Sequence, residues 1–322
     1  MNKLLTTLCF TLAVLAGAPA QAGPWPEKQV TIVVPFPPGG STDTLARAIA
    51  PKMQEQLGQN VIVDNKAGAT GTIGAGQVTR SAPDGYTLLV TSLGPLVIAP
   101  HLIKTMPYDA LTDFDLITVA VQAPNVLVVP ASSPLKTVAD VIAASKTNPG
   151  KMTLASSGNG SSDHLTAELF WLQTGTTGTH VPYKGGAPAV QDLLGGQVDG
   201  SFQNVNAVMQ HIKAGKLRAI AVTGDKRSAV LPDVPTLAES GVKGVDVYSW
   251  QAVVGPKGLP AEVKGKLHSA VVAALNDPQV RKQFEAVGFE VVANTPEQFA
   301  KFQQAEHARW KNVIETRKIS VN

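Results

Sequence analysis

The chain has 322 residues, of which 44% are hydrophobic and only 16% charged, with a mean hydropathy of +0.07. That balance excludes a disordered chain, which is polar and highly charged, and a protein built of several membrane spans. The formal net charge of +3 excludes a basic surface on the scale that nucleic acid requires and permits only a mild preference for anions.

The first 22 residues read as an export signal. Lys3 supplies a basic start, residues 4–16 are mostly apolar, and Ala20-Gln21-Ala22 is an A-x-A cleavage site. Pro24 and Pro26 follow at once and disfavour a buried first helix. Cleavage after Ala22 is therefore expected, with a mature chain that starts at Gly23 in the periplasm. The single cysteine, Cys9, lies inside the leader and no lipobox precedes it. The mature protein is thus expected to lack a thiol, a disulfide and a lipid anchor, which excludes thiol catalysis and Cys-ligated metals. No later apolar run approaches the ~20 residues of a membrane helix, so a soluble exported protein is expected.

Short β-branched runs then alternate with helical patterns. Residues 30–34, 87–90, 116–121, 126–129, 217–222 and 247–254 read as strands, and the run 152–155 as another. Their nearly continuous apolar character predicts a parallel sheet covered on both faces, in a doubly wound α/β protein. Leu45, Ile49, Met53 and Leu57 recur at helical spacing, with Arg47, Lys52 and Glu55 elsewhere, which predicts an amphipathic helix ended at Gly58. Near the far end Thr295-Pro296-Glu297-Gln298 is a capping box with proline at the first helical position. Behind it Phe299, Phe302, Trp310, Val313 and Ile314 form one stripe, expected to pack into the core.

One pattern occurs twice. Gly40-Ser41-Thr42-Asp43-Thr44-Leu45 and Gly160-Ser161-Ser162-Asp163-His164-Leu165 share G-S-[ST]-D-x-L, and each follows an apolar strand and opens a helix. A helix start offers unpaired N–H groups and about half a positive charge, and glycines let a ligand approach the backbone. Two such loops facing each other would hold a carboxylate or phosphate in a crevice at the strand ends. Two ordinary helix caps would give the same pattern. In the ligand reading Ser41, Thr42, Ser161 and the backbone amides make contact, while Asp43 and Asp163 mainly cap and brace their loops. The segment 68–76 does not match G-x-G-x-x-G and has no P-loop lysine, so it reads as a third pocket-lining loop and not as a nucleotide site. Tyr183-Lys184-Gly185-Gly186 suits either ligand contact or a packed tyrosine beside a solvated lysine. No G-x-S-x-G, H-E-x-x-H or paired metal-ligand motif occurs. His164 and Glu168, spaced i,i+4, read as capping and surface pairing, and the remaining histidines as structural or exposed.

Over essentially all of its mature length the chain resembles the extracytoplasmic solute receptors of the tripartite tricarboxylate transporter family, the Bug receptors. The resemblance is carried by VPFPPGGSTDTLAR from Val34, NKAGATGTIGA from Asn65, APDGYTLLVTS from Ala82 and SSGNGSSDHLTAELF from Ser156. It continues through VPYKGGAPAVQDLLGGQVD from Val181, AGKLRAIAVTGDKR from Ala214, LPDVPTLAESG from Leu231 and SWQAVVGPKGLP from Ser249. It implies a two-lobed periplasmic-binding-protein fold of the Venus-flytrap, type II-like class. Residues 23–121 with 224–322 would form one lobe and 122–223 the other, with crossings near 119–123 and 222–225. It implies a monomeric receptor, without catalysis, cofactor, metal or nucleic acid, that closes on a small carboxylate and hands it to membrane permease subunits. A di- or tricarboxylate or an aromatic carboxylate would suit. The implied ligand set is Phe36, Gly39, Gly40, Ser41, Thr42 and Asp43 in the first loop, and Ser157, Gly158, Ser161 and Ser162 in the second. Thr70, Gly71, Ser92, Tyr183, Lys184, Gly185 and Asn204 complete it. The third loop departs from the family pattern, with Lys66-Ala67 where many relatives have Arg-Pro. Rival readings are an exported enzyme using Asp43 or Lys184 on a carboxylate, and a sensory ligand-binding component.

Overall fold

A computed structural model describes residues 25–320; the leader, its cleavage site and Cys9 lie outside the described residues. The chain begins with β1 (Val30–Val34), α1 (Ser41–Leu57), β2 (Val61–Asn65), α2 (Thr72–Thr79) and β3 (Thr87–Ser92). A short helix, α3 (Ala99–Leu102), and a 17-residue strand, β4 (Phe114–Pro130), then lead through α4 (Val138–Thr147) into a second series. That series is β5 (Thr153–Ser156), α5 (Ser162–Thr174), β6 (Thr179–Pro182), α6 (Gly186–Leu194), β7 (Gly200–Asn204), α7 (Val205–Lys213) and β8 (Leu217–Val222). The chain returns through β9 (Tyr248–Pro256), α8 (Ala261–Asn276), α9 (Pro278–Val287), β10 (Glu290–Val291) and α10 (Pro296–Arg317).

The strands run in the order β2-β1-β3-β9-β4-β7-β5-β6, with β8 and β10 also paired to β4. The expected parallel arrangement holds only in the two outer groups, β2-β1-β3 and β7-β5-β6. Between them β9 is antiparallel to both β3 and β4, and β4 is antiparallel to β7 and β8. The sheet is therefore mixed. Apolar content could not show this, because β4 and β9 are buried along nearly their whole length and read like parallel-sheet strands.

The segments 116–121 and 126–129 prove to be one strand. Its polar interruption, Gln122 to Asn125, marks a change of partner: Pro124 is the last residue opposite β9, and Asn125 the first opposite β7. Proline has no N–H for a ladder, so the end of one pairing is a position it tolerates. Beyond β8 the chain stays beside it, where Thr236 bridges to Val222.

The helix expected around Leu45 forms. Leu45, Ile49 and Met53 are fully buried with Val30, Ile32 and Val34 of β1 and Leu267, Val271 and Leu275 of α8. Each such side chain contributes about 2 kcal/mol of burial energy. Gly58 ends the helix in the left-handed region at φ 66°, its N–H donating to the Gln54 carbonyl. The capping box at Thr295 and Gln298 is present in both directions. Phe299, Trp310 and Ile314 of its stripe are buried against Trp250, with Phe302 and Val313 packed at the edge.

Candidate functional site

The two G-S-[ST]-D loops join equivalent elements. One leads from β1 into α1 and the other from β5 into α5, and both helices start at the same pocket. Gly40 caps α1 without any side-chain hydrogen bond, which leaves first-turn N–H groups free of a side-chain cap. Ser161 caps α5 by accepting from the His164 N–H.

Of the expected ligand residues the structure gathers Phe36, Gly40, Ser41, Thr42, Thr70, Ser92, Ser157, Ser161, Ser162, Gly185 and Asn204 around one cleft, which encloses about 670 Å³ including its mouth. The two strand groups meet here: Ser41 Oγ donates to Asn204 Oδ1 (3.0 Å) and is within 2.9 Å of Asn206 Nδ2. Asn204 Nδ2 in turn donates to Ser162 Oγ at 3.2 Å.

The others stand behind the wall or away from it. Gly39 donates its N–H to Asp43 Oδ2. Gly71 has φ 89°, and a Cβ there would lie 2.8 Å from Pro95 and 3.0 Å from Phe36, so it lets Phe36 reach the pocket. Its neighbour Thr70, a β-branched residue, is held in the left-handed region at φ 55°, a strained conformation of the kind that collects at functional sites. Gly158, at φ 130°, packs under the Tyr183 carbonyl. The Tyr183 hydroxyl donates to Asp192 on α6 at 2.7 Å, and Lys184 is exposed outside the pocket wall.

The two aspartates brace the loops, but in different electrostatic settings. Asp43 accepts from Gly39 N–H, Arg47 Nε and Asn65 Nδ2, with bonds on both of its oxygens. Burial pushes its carboxyl up, and these donors together hold it below its ordinary value. Asp163 accepts from the Ser157 N–H, the Ser157 hydroxyl and Gln203 Nε2, all on Oδ2. No cation pairs with it among the described residues, and burial raises its carboxyl despite the serine bonds.

The expected pairing of His164 with Glu168 forms, at 3.7 Å, but His164 lies in the interior and not at the surface. It is buried and stacked on His180, with ring centroids 4.0 Å apart, and its Nδ1 accepts the Gly160 N–H. His180 touches Ser156 Oγ, which accepts from the Gly158 N–H. The pair thus supports the second loop from behind, and burial beside His164 pushes the His180 imidazole down to about 3.

Sequence reasoning missed Ser249 and Gln251 on β9 and Gln203 on β7, all of which line the cleft. Their signal was alternation: Ser201-Phe202-Gln203 and Ser249-Trp250-Gln251 each place two polar residues on one face of a strand and an aromatic on the other. β9 is antiparallel to its neighbours and so brings its amino end to the place where the parallel strands bring their carboxyl ends, which no local sequence signal reveals.

Among the described residues no lysine, arginine or histidine lines the cleft, and Asp163 is the one ionisable residue that does. The positive potential therefore comes from helix starts and the donors from hydroxyls and amides, which suits a small anion.

A family profile described as "Tripartite tricarboxylate transporter family receptor" matches residues 45–319. The protein BugT of Bordetella pertussis is 40% identical over 316 residues, 98% of this chain and 97% of that one. Among solved structures, "R. palustris Rpa4515 with adipate" superposes with a TM-score of 0.89 at 38% identity, covering 92% of this chain and 99% of that one. MatC from Rhodopseudomonas palustris with bound malate gives 0.86 at 33% identity, over 90% and 100%. The chain has the mixed α/β, two-lobed periplasmic-binding-protein fold and belongs to the tripartite tricarboxylate transporter receptor family.

Proposed function

We propose that this chain is an extracytoplasmic solute receptor that binds a small carboxylate between its lobes and delivers it to membrane permease subunits for uptake. The observation that carries this is a single cleft at which two helix starts converge, lined by neutral donors and free of cationic side chains. Relatives of like fold are solved with adipate and with malate, both carboxylates. One lobe comprises residues 23–121 with the return from β9 onward; the other begins at 122 and, in place of the expected boundary at 223/224, keeps the stretch after β8, where Thr236 bridges Val222 and Leu231 packs with Val126 and Val222. The change of partner inside β4 at Pro124 and Asn125 supports a first crossing between them there.

Ligand held by Ser41 and Thr42 on one side and Ser157, Ser161 and Ser162 on the other favours the closed form, because only differential affinity for that form drives closure. Ser92, Thr70, Gly185 and Asn204 complete the contact surface. Neutral donors also suit a receptor that must let go of its cargo. The chain works as a monomer in the periplasm after cleavage behind Ala22, and returns its ligand chemically unchanged.

A thermal-shift panel of aliphatic, aromatic and amino-acid carboxylates against sugars and amines tests the ligand class. Stabilisation confined to sugars or amines would overturn it. With adipate as the probe, calorimetry on Ser41→Ala and Ser161→Ala then tests the bridging: each variant binds more weakly, and an unchanged affinity in either refutes it.

A further inference from the structure

Four buried side-chain atoms lack a hydrogen-bond partner among the described residues: Trp25 Nε1, Thr91 Oγ1, Trp171 Nε1 and Gln251 Oε1. Of these residues, Gln251 alone lines the ligand cleft. It is 1% exposed. Its amide nitrogen is committed, since Nε2 donates to Ser249 Oγ at 3.1 Å and Ser249 Oγ donates onward to Asn204 Oδ1 at 3.2 Å. Neighbouring amides are committed too: Asn204 Nδ2 goes to Ser162, and Gln203 Nε2 to Asp163 and Ser201. Gln251 is thus the side-chain amide of the cleft whose acceptor is both buried and unpartnered among the described residues.

A carboxylate cannot use that acceptor, because an ionised carboxylate only accepts hydrogen bonds. An apolar ligand group would leave the amide oxygen buried and unpaired, which is unfavourable. The group that fits is an O–H or N–H donor. Ser92, opposite Gln251 in the β3–β9 ladder, and Ser249 and Leu93 nearby carry no charge. An uncharged wall suits a hydroxyl, whereas an ammonium ion would be drawn to Asp163 beneath the second loop.

We infer that Gln251 is a specificity-determining residue whose amide oxygen accepts a hydrogen bond from a ligand hydroxyl, so that the receptor favours a hydroxycarboxylate over the same acid without the hydroxyl. The inference rests on the carboxylate reading proposed above. Sites built to bond a substrate hydroxyl reject the analogue that lacks it, because the site's own polar group is then stranded.

Matched acids test it by calorimetry and thermal shift on the full mature chain: malate with succinate, citrate with tricarballylate, and 3-hydroxyadipate with adipate, with aspartate as the amino counterpart of malate. The hydroxy member of whichever pair binds should bind about tenfold tighter, the worth of one buried hydrogen bond. Gln251→Met should erase the difference. Gln251→Glu, which keeps an acceptor, should keep the ratio while weakening both acids. Equal binding of the two members, tighter binding of the plain acid, or a preference that survives in Gln251→Met overturns the inference and leaves the carboxylate receptor standing. Tighter binding of aspartate than malate overturns the hydroxyl assignment. Failure of every carboxylate overturns the receptor reading itself. The wild-type pairs decide the question even where a variant fails to fold.

Discussion

Replacing each loop aspartate by asparagine should give opposite results at two positions that share one sequence motif. At Asp43 both oxygens accept: Oδ1 takes Asn65 Nδ2 at 2.9 Å and Arg47 Nε at 3.0 Å, and Oδ2 takes the Gly39 N–H and Arg47 Nε, each at 2.9 Å. Asparagine offers one acceptor, so its NH2 must face a donor whichever way it turns. The Arg47 side chain is 51% exposed, and water screens its share of the pairing. What remains is a buried donor without an acceptor and the loss of charge-assisted bonds, together about 2 kcal/mol. At 2–4 °C per kcal/mol for a domain of this size, the melting temperature should fall by roughly 4–8 °C. At Asp163 the bonds from Ser157 and Gln203 converge on Oδ2, which the asparagine oxygen can replace. Asp163→Asn should therefore stay within about 1 kcal/mol of wild type at pH 7.

The pH dependence separates the two further. Asp43 is held below its ordinary value of 3.8, so its contribution is present above that value and disappears as pH falls through the folded-state value. The deficit of Asp43→Asn should thus be full at neutral pH and close in acid. Asp163 is raised, so the protein is best served with it protonated and loses stability as pH rises from 3.8 through the raised value. Asp163→Asn should gain on wild type over that rise. Thermal melts from pH 3 to 8 on the three proteins provide the measurement. Equal losses for both variants at pH 7, or deficits that move the same way with pH, would refute the reasoning.

His180→Asn should flatten a different part of the same curve. The imidazole is pushed down from 6.5 to about 3, so wild type loses stability as pH falls across that interval and the variant should lose less, read from melts between pH 6.5 and 4. Gly71→Ala places a methyl 2.8 Å from Pro95 and 3.0 Å from Phe36 at a positive φ, so a loss of about 1–3 kcal/mol is expected, with weaker adipate binding as Phe36 shifts. Gly265→Ala, inside α8 with open space around its Cβ, should instead raise stability by about 0.5–1 kcal/mol and leave adipate binding unchanged in calorimetry.

How much of this was legible follows from how local each signal is. The two loops were readable because glycine, serine and aspartate at a helix start have local reasons to be there, and the structure brings both loops to one cleft. The capping box and the Phe299 stripe were readable for the same reason. Strand direction was not, because it belongs to pairing between distant segments: Asn125 meets Asn204, and Leu89 meets Val254, across stretches that no periodicity spans. Whether Tyr183 and Lys184 reach the cleft was equally beyond a local rule, since it turns on the Asp192 carboxylate that takes the tyrosine hydroxyl.

From sequence Asp43 and Asp163 are equivalent, yet the fourth residue onward is Arg47 in one helix and Ala167 in the other. That single difference supplies a guanidinium behind the first loop and none behind the second. One loop is therefore fixed by an ion pair outside the cleft, while the other presents a carboxyl on the wall itself, held only by neutral donors. A ligand anion placed between the two helix starts meets the first loop as a site of settled charge. It meets the second as a site whose charge varies with pH, so binding and protonation of Asp163 must be linked, each anion bound favouring the protonated carboxyl.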